Sequence, residues 1–250
     1  MRTFKTLSLA IVIAWTLAGC KTTYVPKLSE PTTYAINSSL PEDSTIIRYY
    51  TPFKQQLDQE MNRTIGYSTR HLTKSRSDAE SLAGNFFADA LLAMGKKIDP
   101  EAQLSLATKG GIRSEVKQGD VTIGSMFELM PFENTVTILE LSAKDLAILA
   151  DFIAKTGGQP IAGFTVKIKE EKAAEIRIDG KEIDPTRSYK LVTYDYLANG
   201  GDYIEGITHP LKRTDSSLRV REGLIEYVQG LTKAGKNINT ELDGRVSIIK

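Results

Sequence analysis

Thr108-Lys109-Gly110-Gly111-Ile112-Arg113 opens a stretch that closes with Met130-Pro131-Phe132-Glu133-Asn134 and is echoed at Tyr196-Leu197-Ala198-Asn199-Gly200-Gly201-Asp202. The glycine pair follows the apolar run Leu104-Ser105-Leu106-Ala107, so a strand is expected to run into a loop ending in a fixed positive charge. Such a pair is most often a plain turn. Beside Arg113 it also reads as an anion-binding loop, because glycines let backbone N–H groups approach a ligand and a guanidinium clamps phosphate or carboxylate in bidentate fashion. Phe132 sits next to a proline, with the Asn134 amide two residues on; Tyr196 is followed by a glycine turn and the Asp202 carboxylate. Two aromatic faces can sandwich a base, an amide can read its edge, and a carboxylate can accept from ribose hydroxyls. The alternative is a core aromatic at Phe132 and half-buried strand aromatics at Tyr194 and Tyr196.

"GGIR", then "PFEN" with its Phe nineteen residues after the Arg, then "YLANGGD" resemble the C-terminal, substrate-recognition domain of the 5'-nucleotidase family. This is the family of periplasmic UDP-sugar hydrolases and ecto-5'-nucleotidases. Glu80-Ser81-Leu82-Ala83-Gly84-Asn85-Phe86-Phe87-Ala88-Asp89 is similar to the family's helix-opening "E…GN…AD" pattern, and the likeness covers Ile46 to Ile249. The resemblance implies substrate-binding roles for Arg113, Phe132, Asn134, Tyr196 and Asp202, with Thr108, Lys109 and the backbone at Gly163 as further candidates. It also implies an α+β fold in which mixed β-sheets carry packed helices in a layered α/β/β/α arrangement. This chain departs from the pattern at the phosphate end. Ser77 stands where many relatives carry a phosphate-binding arginine, with Arg76 one residue off; Thr108 replaces an Asn and Lys109 often replaces a Gly. Tyr196 in place of Phe keeps the stacking face.

The chain begins with Arg2 and Lys5, an apolar core from Leu7 to Leu17, and Leu17-Ala18-Gly19-Cys20. Residues 1–19 read as a lipoprotein signal peptide, with a core too short to span a bilayer as a mature helix. Leu-Ala-Gly-Cys resembles the bacterial lipobox, so Cys20 is expected to be lipidated. It is the only cysteine, so no intramolecular disulfide competes for it. Acyl chains there would anchor the protein in the bacterial cell envelope, on a periplasmic or surface face of a membrane, at about 0.8 kcal/mol per buried methylene. Residues 20–43 carry Pro26, Pro31 and Pro41 and few large apolar side chains, and read as a flexible tether. Residues 44–250 are expected to form one globular domain. The formal charge is +1, and −1 without residues 1–19, which offers no electrostatic case for nucleic acid as a partner.

Along the domain, Thr45–Tyr50 suits a strand or an extended entry, and Thr51-Pro52 a cap and first-turn proline for a helix through about Met61. Thr64–Thr69 reads as a strand. Ser77-Asp78-Ala79-Glu80 has the form of a capping box for a helix with Leu82, Phe86, Ala90 and Ala93 on one face and Gly95 as its stop. Asn85 and Asp89, four apart, either brace the site from behind or form a solvated face. A short helix over Ser125–Leu129 delivers Phe132. A strand over Asn134–Leu141 precedes a helix capped at Ser142 and ended by Gly157-Gly158. Phe164, Val166 and Ile168 alternate as a strand, and Ile178-Asp179-Gly180-Lys181 is the strongest hairpin signal. Ser188–Tyr194 is a strand, Ser216–Leu231 a helix, and Val246–Ile249 a closing strand.

Only His71 and His209 are present, without Asp-x-His, Asn-His-Asp or Gly-His-x-His, and neither a Gly-x-Ser-x-Gly elbow nor a free thiol beyond Cys20 offers a nucleophile. No metal site and no catalytic residue is expected in this chain. It therefore reads as the nucleotide- or nucleoside-binding component of a split 5'-nucleotidase in nucleotide catabolism. A separately encoded metallophosphoesterase partner would hold the divalent metals and carry the phosphoric monoester hydrolase activity. The alternative is a scaffold or interaction lipoprotein that has lost its ligand.

Overall fold

The computed structural model describes residues 33–249, so the signal peptide, Cys20 and most of the expected tether lie outside the described residues. The chain divides into two units at Ile47/Arg48. From the first unit, residues 33–47 are described; Asn37 accepts from Ser39 in a local turn, and the Asp43 carboxylate accepts from the backbone of Thr45 and Ile46.

That carboxylate starts helix α1 (Ser44–Met61), where a strand or an extended entry was expected before Thr51. Asp43 supplies the cap, so Pro52 falls inside the helix instead of in its first turn. A proline there removes one backbone donor, and the carbonyl this frees, on exposed Arg48, can turn to water.

Three sheets follow. Strand β1 (Thr64–Ser68) pairs antiparallel with β3 (Gly119–Thr122). The central sheet orders β10 (Lys212–Arg219), β4 (Thr135–Ser142), β9 (Ser188–Tyr194), β2 (Leu104–Leu106) and β5 (Ile161–Ala162), with β2 and β9 parallel and the other pairs antiparallel. The third orders β11 (Val246–Ile248), β6 (Phe164–Lys169), β7 (Lys172–Ile178) and β8 (Lys181–Glu182). Asp179 and Gly180 both take positive φ between β7 and β8, which is the primed two-residue turn that Asp-Gly favours.

Adjacent residues Leu191 and Val192 of β9 point to opposite faces and both are fully buried, so the middle of the central sheet is covered on both sides. Helix α2 (Leu82–Ile98) takes the Val192 side. Gly95 does not stop this helix. It lies within it, where a Cβ would stand 2.1 Å from Val192 Cγ2, so the missing side chain lets helix and sheet approach. The cap is Ser81, whose hydroxyl accepts from Gly84 N, and not Ser77. Glu80, expected to close the capping box, instead accepts from Asn85 and from the backbone of Asp243 and Gly244. Asp243 and Gly244 lie far along the chain and could not be read locally.

Helix α3 (Ile123–Leu129) is capped by Thr122, and α4 (Ala143–Lys155) by Ser142 as expected. Helix α4 packs against β4 and β9 of the central sheet and against β6 and β7 of the third, so it joins the two. After β9 come the single turn α5 (Asp195–Ala198) and a 3₁₀ turn over Gly201–Tyr203. Helix α6 (Val220–Lys233) packs on α2 and begins four residues later than the sequence suggested. The difference is the edge strand β10: the Thr137 hydroxyl donates to Asp215 and Ser216 to the Val136 carbonyl, which keeps 212–219 extended beside β4. The mixed α+β class with layered sheets and helices holds. Among the described residues, no helix is long and apolar enough to cross a membrane.

Candidate functional site

The loop after β2 is folded by its own groups. The Thr108 hydroxyl and carbonyl both accept from Gly111 N, and the same hydroxyl stands 3.4 Å from Tyr194 Oη. A Cβ on Gly111 would come within 2.4 Å of that tyrosine oxygen, so glycine is needed here for close approach to a ring. Arg113 N then donates to Leu129 O, fixing the arginine between the loop and the end of α3.

The second wall is the connection from α3 to β4, which carries Phe132, Glu133 and Asn134. Arg221, from the first turn of α6, holds it: one guanidinium nitrogen donates to Phe132 O at 3.2 Å, another pairs with Glu133, and the plane lies 4.1 Å from the Phe127 ring centroid. Arg219 adds a second ion pair at 2.8 Å. The bond from Arg221 and these two positive charges hold the Glu133 carboxyl below the usual carboxylate range.

The third wall is Tyr194 to Asp202. Tyr194 is buried at the end of β9, and desolvation pushes its hydroxyl up to about 12. The Tyr196 hydroxyl donates to Asp202 at 3.1 Å. Asp202 and Tyr203 both adopt positive φ, so the glycine turn ends in a left-handed pair that is uncommon for residues with side chains.

These walls enclose a cavity of about 640 Å³. Arg113, Phe132, Asn134, Tyr196 and Asp202, separated by up to 89 residues in the chain, all line it. Phe132 and Tyr196 remain 39% and 50% exposed, so neither ring belongs to the core. The Arg113 guanidinium lies 5.8 Å from the Phe132 centroid and pairs with no carboxylate among the described residues; its hydrogen bond goes to Gly110 O at 3.3 Å.

The remaining expected residues fall elsewhere. Thr108 is buried behind the loop it braces. Lys109 turns away: its ammonium donates to Gly157 O at 3.0 Å and to Arg76 O at 3.4 Å, near the end of α4, where the carbonyls of a helix terminus favour a cation. Burial pushes its pKa down. Gly163 lines a different cavity, beside Arg177 and Arg245. Asn85 and Asp89 neither brace this site nor face water alone; Asn85 donates to Glu241 O and Asp89 pairs with Arg245, which fastens the C-terminal segment.

Two contributors escaped the sequence reading. Asp195 lines the cavity and one of its oxygens accepts from Asn134 Nδ2, Thr135 N and Tyr196 N, tying the second wall to the third. Its position between Tyr194 and Tyr196 at a strand-to-helix turn was the available signal. Asn134 thus has its amide nitrogen committed, leaving its oxygen as an acceptor. Arg221 carried no local signal, because its partners sit almost ninety residues earlier. Among the described residues no group of three or more His, Cys, Asp or Glu is placed to hold a metal ion; His71 pairs with Glu115 at 2.9 Å.

The cavity thus brings together two part-exposed aromatics, an amide, three carboxylates and an arginine without a carboxylate partner among the described residues. A family model described as "5'-nucleotidase, C-terminal domain" matches residues 63–209, and the chain belongs to that family. It is 26% identical over 216 residues to the trifunctional nucleotide phosphoesterase protein YfkN of Bacillus subtilis, covering 78% of this chain and 14% of that one. It is also 26% identical over 193 residues to the silent protein UshA(0) of Salmonella typhimurium, covering 75% and 35%. The chain thus spans a minor part of the curated relatives it matches. In fold it is similar to the 5'-nucleotidase precursor of Thermus thermophilus, with a TM-score of 0.70 at 23% identity over 84% of this chain and 44% of that one.

Proposed function

We propose that the domain binds the nucleoside part of a nucleotide and acts as the substrate-recognition component of a split 5'-nucleotidase. A separately encoded metallophosphoesterase would supply the divalent metals and the attacking water. The observation that carries the reading is the convergence of Phe132 and Tyr196, both part-exposed, on one cavity with Arg113, Asn134 and Asp202. In this assignment the rings stack on the base, the Asn134 oxygen accepts from the base edge, Asp202 accepts from ribose hydroxyls, and Arg113 meets the phosphate end. Thr108 and Lys109 act through the loop and not through the ligand. The likeness to nucleotide phosphoesterases supports the ligand class.

We further propose lipidation at Cys20 and an envelope location, which would hold the domain at a membrane within reach of nucleotides outside the cytoplasm. Calorimetry with AMP, adenosine and UDP-glucose tests the binding; heats no different from buffer for all three would remove it. Addition of the chain to a metallophosphoesterase lacking this domain tests the split enzyme, with faster phosphate release from AMP as the expected result. Lys109, turned from the cavity, and the missing arginine at Ser77 favour one competing reading, a scaffold lipoprotein without a ligand. An unchanged calorimetric trace in a Phe132→Ala, Tyr196→Ala double variant would favour that scaffold.

A further inference from the structure

The charges around the cavity are unevenly matched. Among the described residues that line it, Arg113 is the one cation, against the carboxylates of Glu133, Asp195 and Asp202. Arg219 and Arg221 are matched by Glu133 and Glu222 together, which leaves, among the lining groups, two carboxylates to one guanidinium. Asp195 is satisfied by backbone and amide N–H donors, which offset its charge only as dipoles. Asp202 accepts from the Tyr196 hydroxyl through one oxygen, and its other lies 3.9 Å from where a Cβ on Gly110 would stand. The carbonyl of that same Gly110 accepts from Arg113. Carboxylate and guanidinium therefore flank the same glycine, and an anion drawn to Arg113 would also approach Asp202. Of the neighbouring lysines, Lys109 is fastened to Gly157 O, and Lys74 donates to the Arg113 carbonyl from outside the lining.

We infer that the cavity takes an uncharged nucleoside in preference to its 5'-nucleotide. This rests on the nucleoside reading above. A phosphate monoester brings about two negative charges at neutral pH into a site whose own balance is already negative, whereas a nucleoside brings only hydroxyl and amine donors that the free carboxylate and amide oxygens accept. As part of a split enzyme, the domain would then hold the product nucleoside more tightly than the substrate, and release would follow the chemistry.

The test is a titration of the full chain with adenosine and with AMP at low and at high ionic strength. Adenosine is expected to bind about tenfold more tightly than AMP at low salt, with the gap narrowing at high salt as screening relieves the repulsion of the phosphate. Asp202→Asn should narrow the gap at low salt, because both ligands lose the ribose contact while AMP alone is relieved of the repulsion. Tighter binding of AMP, with an affinity that falls as salt rises, would show Arg113 dominating and would overturn the inference while leaving the site assignment standing. Equal, salt-independent affinities would overturn it in the same way. Binding of neither ligand would remove the site assignment and this inference together.

Discussion

The cavity walled by Phe132 and Tyr196 and the cavity walled by Asp89, Arg177 and Arg245 are close in size, about 640 and 690 Å³. In the second, the charges answer one another. Arg245 pairs with Asp89 at 2.6 Å and Asp243 at 2.7 Å and donates to Ile161 O, while Glu175 is held by Arg177 and Lys167, whose bonds draw its carboxyl down to about 2. In the first, Arg113 has no carboxylate partner among the described residues and both rings stand part-exposed. Saturated charges hold distant parts of a chain together, and groups left with spare bonding capacity face what the chain itself does not supply. Size alone would not separate the two.

That contrast breaks or sharpens under substitution. The largest expected effect is Arg245→Met. It leaves Asp89 and Asp243 without their partner in a part-buried setting and should lower stability by about 2 kcal/mol, the value for a buried pair reduced for the solvent that still reaches Asp89. Thermal unfolding reads this, and the affinity for adenosine should not move; a parallel loss of affinity would mean that the two regions are not independent. Next, Phe132→Ala should weaken adenosine binding by about 1.5 kcal/mol, within the range for one stacked base, with little change in unfolding temperature because the ring is already part-exposed. A fall in stability with unchanged affinity would return Phe132 to the role of a packing residue.

Arg221→Lys is expected to have a smaller effect. A lysine keeps the charge near Glu133 but cannot give the planar fork that holds both Phe132 O and the carboxylate, so affinity should fall by about 1 kcal/mol, roughly fivefold. Restored affinity in the lysine variant alongside a loss in Arg221→Met would show that charge and not orientation matters.

The smallest effect at neutral pH concerns Tyr194. Its folded hydroxyl ionises near 12, above the ordinary tyrosine value of about 10, so folding favours the neutral form. Stability from this group is therefore fully present below pH 10 and is lost as pH rises from 10 through 12. Tyr227, also pushed up by burial, adds to the same fall. Tyr194→Phe should flatten part of the alkaline drop in unfolding temperature; an unchanged alkaline profile would show that this hydroxyl ionises freely.

Elements whose caps and turns are local were legible: Ser142 starting α4, Asp179-Gly180 turning between β7 and β8, and the limits of β9 all followed from short-range chemistry. The start of α1 was misread because the local Asp43 cap was missed; three other misreadings share a different cause. Glu80 was drawn off to Asp243 and Gly244, Gly95 was needed by Val192, and residues 216–219 were held extended by β4, in each case by a partner distant in sequence. At the site, the residue types at Arg113, Phe132, Asn134, Tyr196 and Asp202 announced their chemistry. Their number said nothing about Asp195 and Arg221, whose roles are to join segments.

From residue order alone came the stacking area, acceptor oxygens and fixed charge of the side chains proposed to bind a nucleoside, because these are properties of single residues and their neighbours. Only the tertiary structure decided that Lys109 would point to the end of α4, that Gly163 would belong to another cavity, and that two carboxylates would outweigh one arginine. Hydrogen-bond geometry and charge balance depend on distances in space, and the folded backbone sets those.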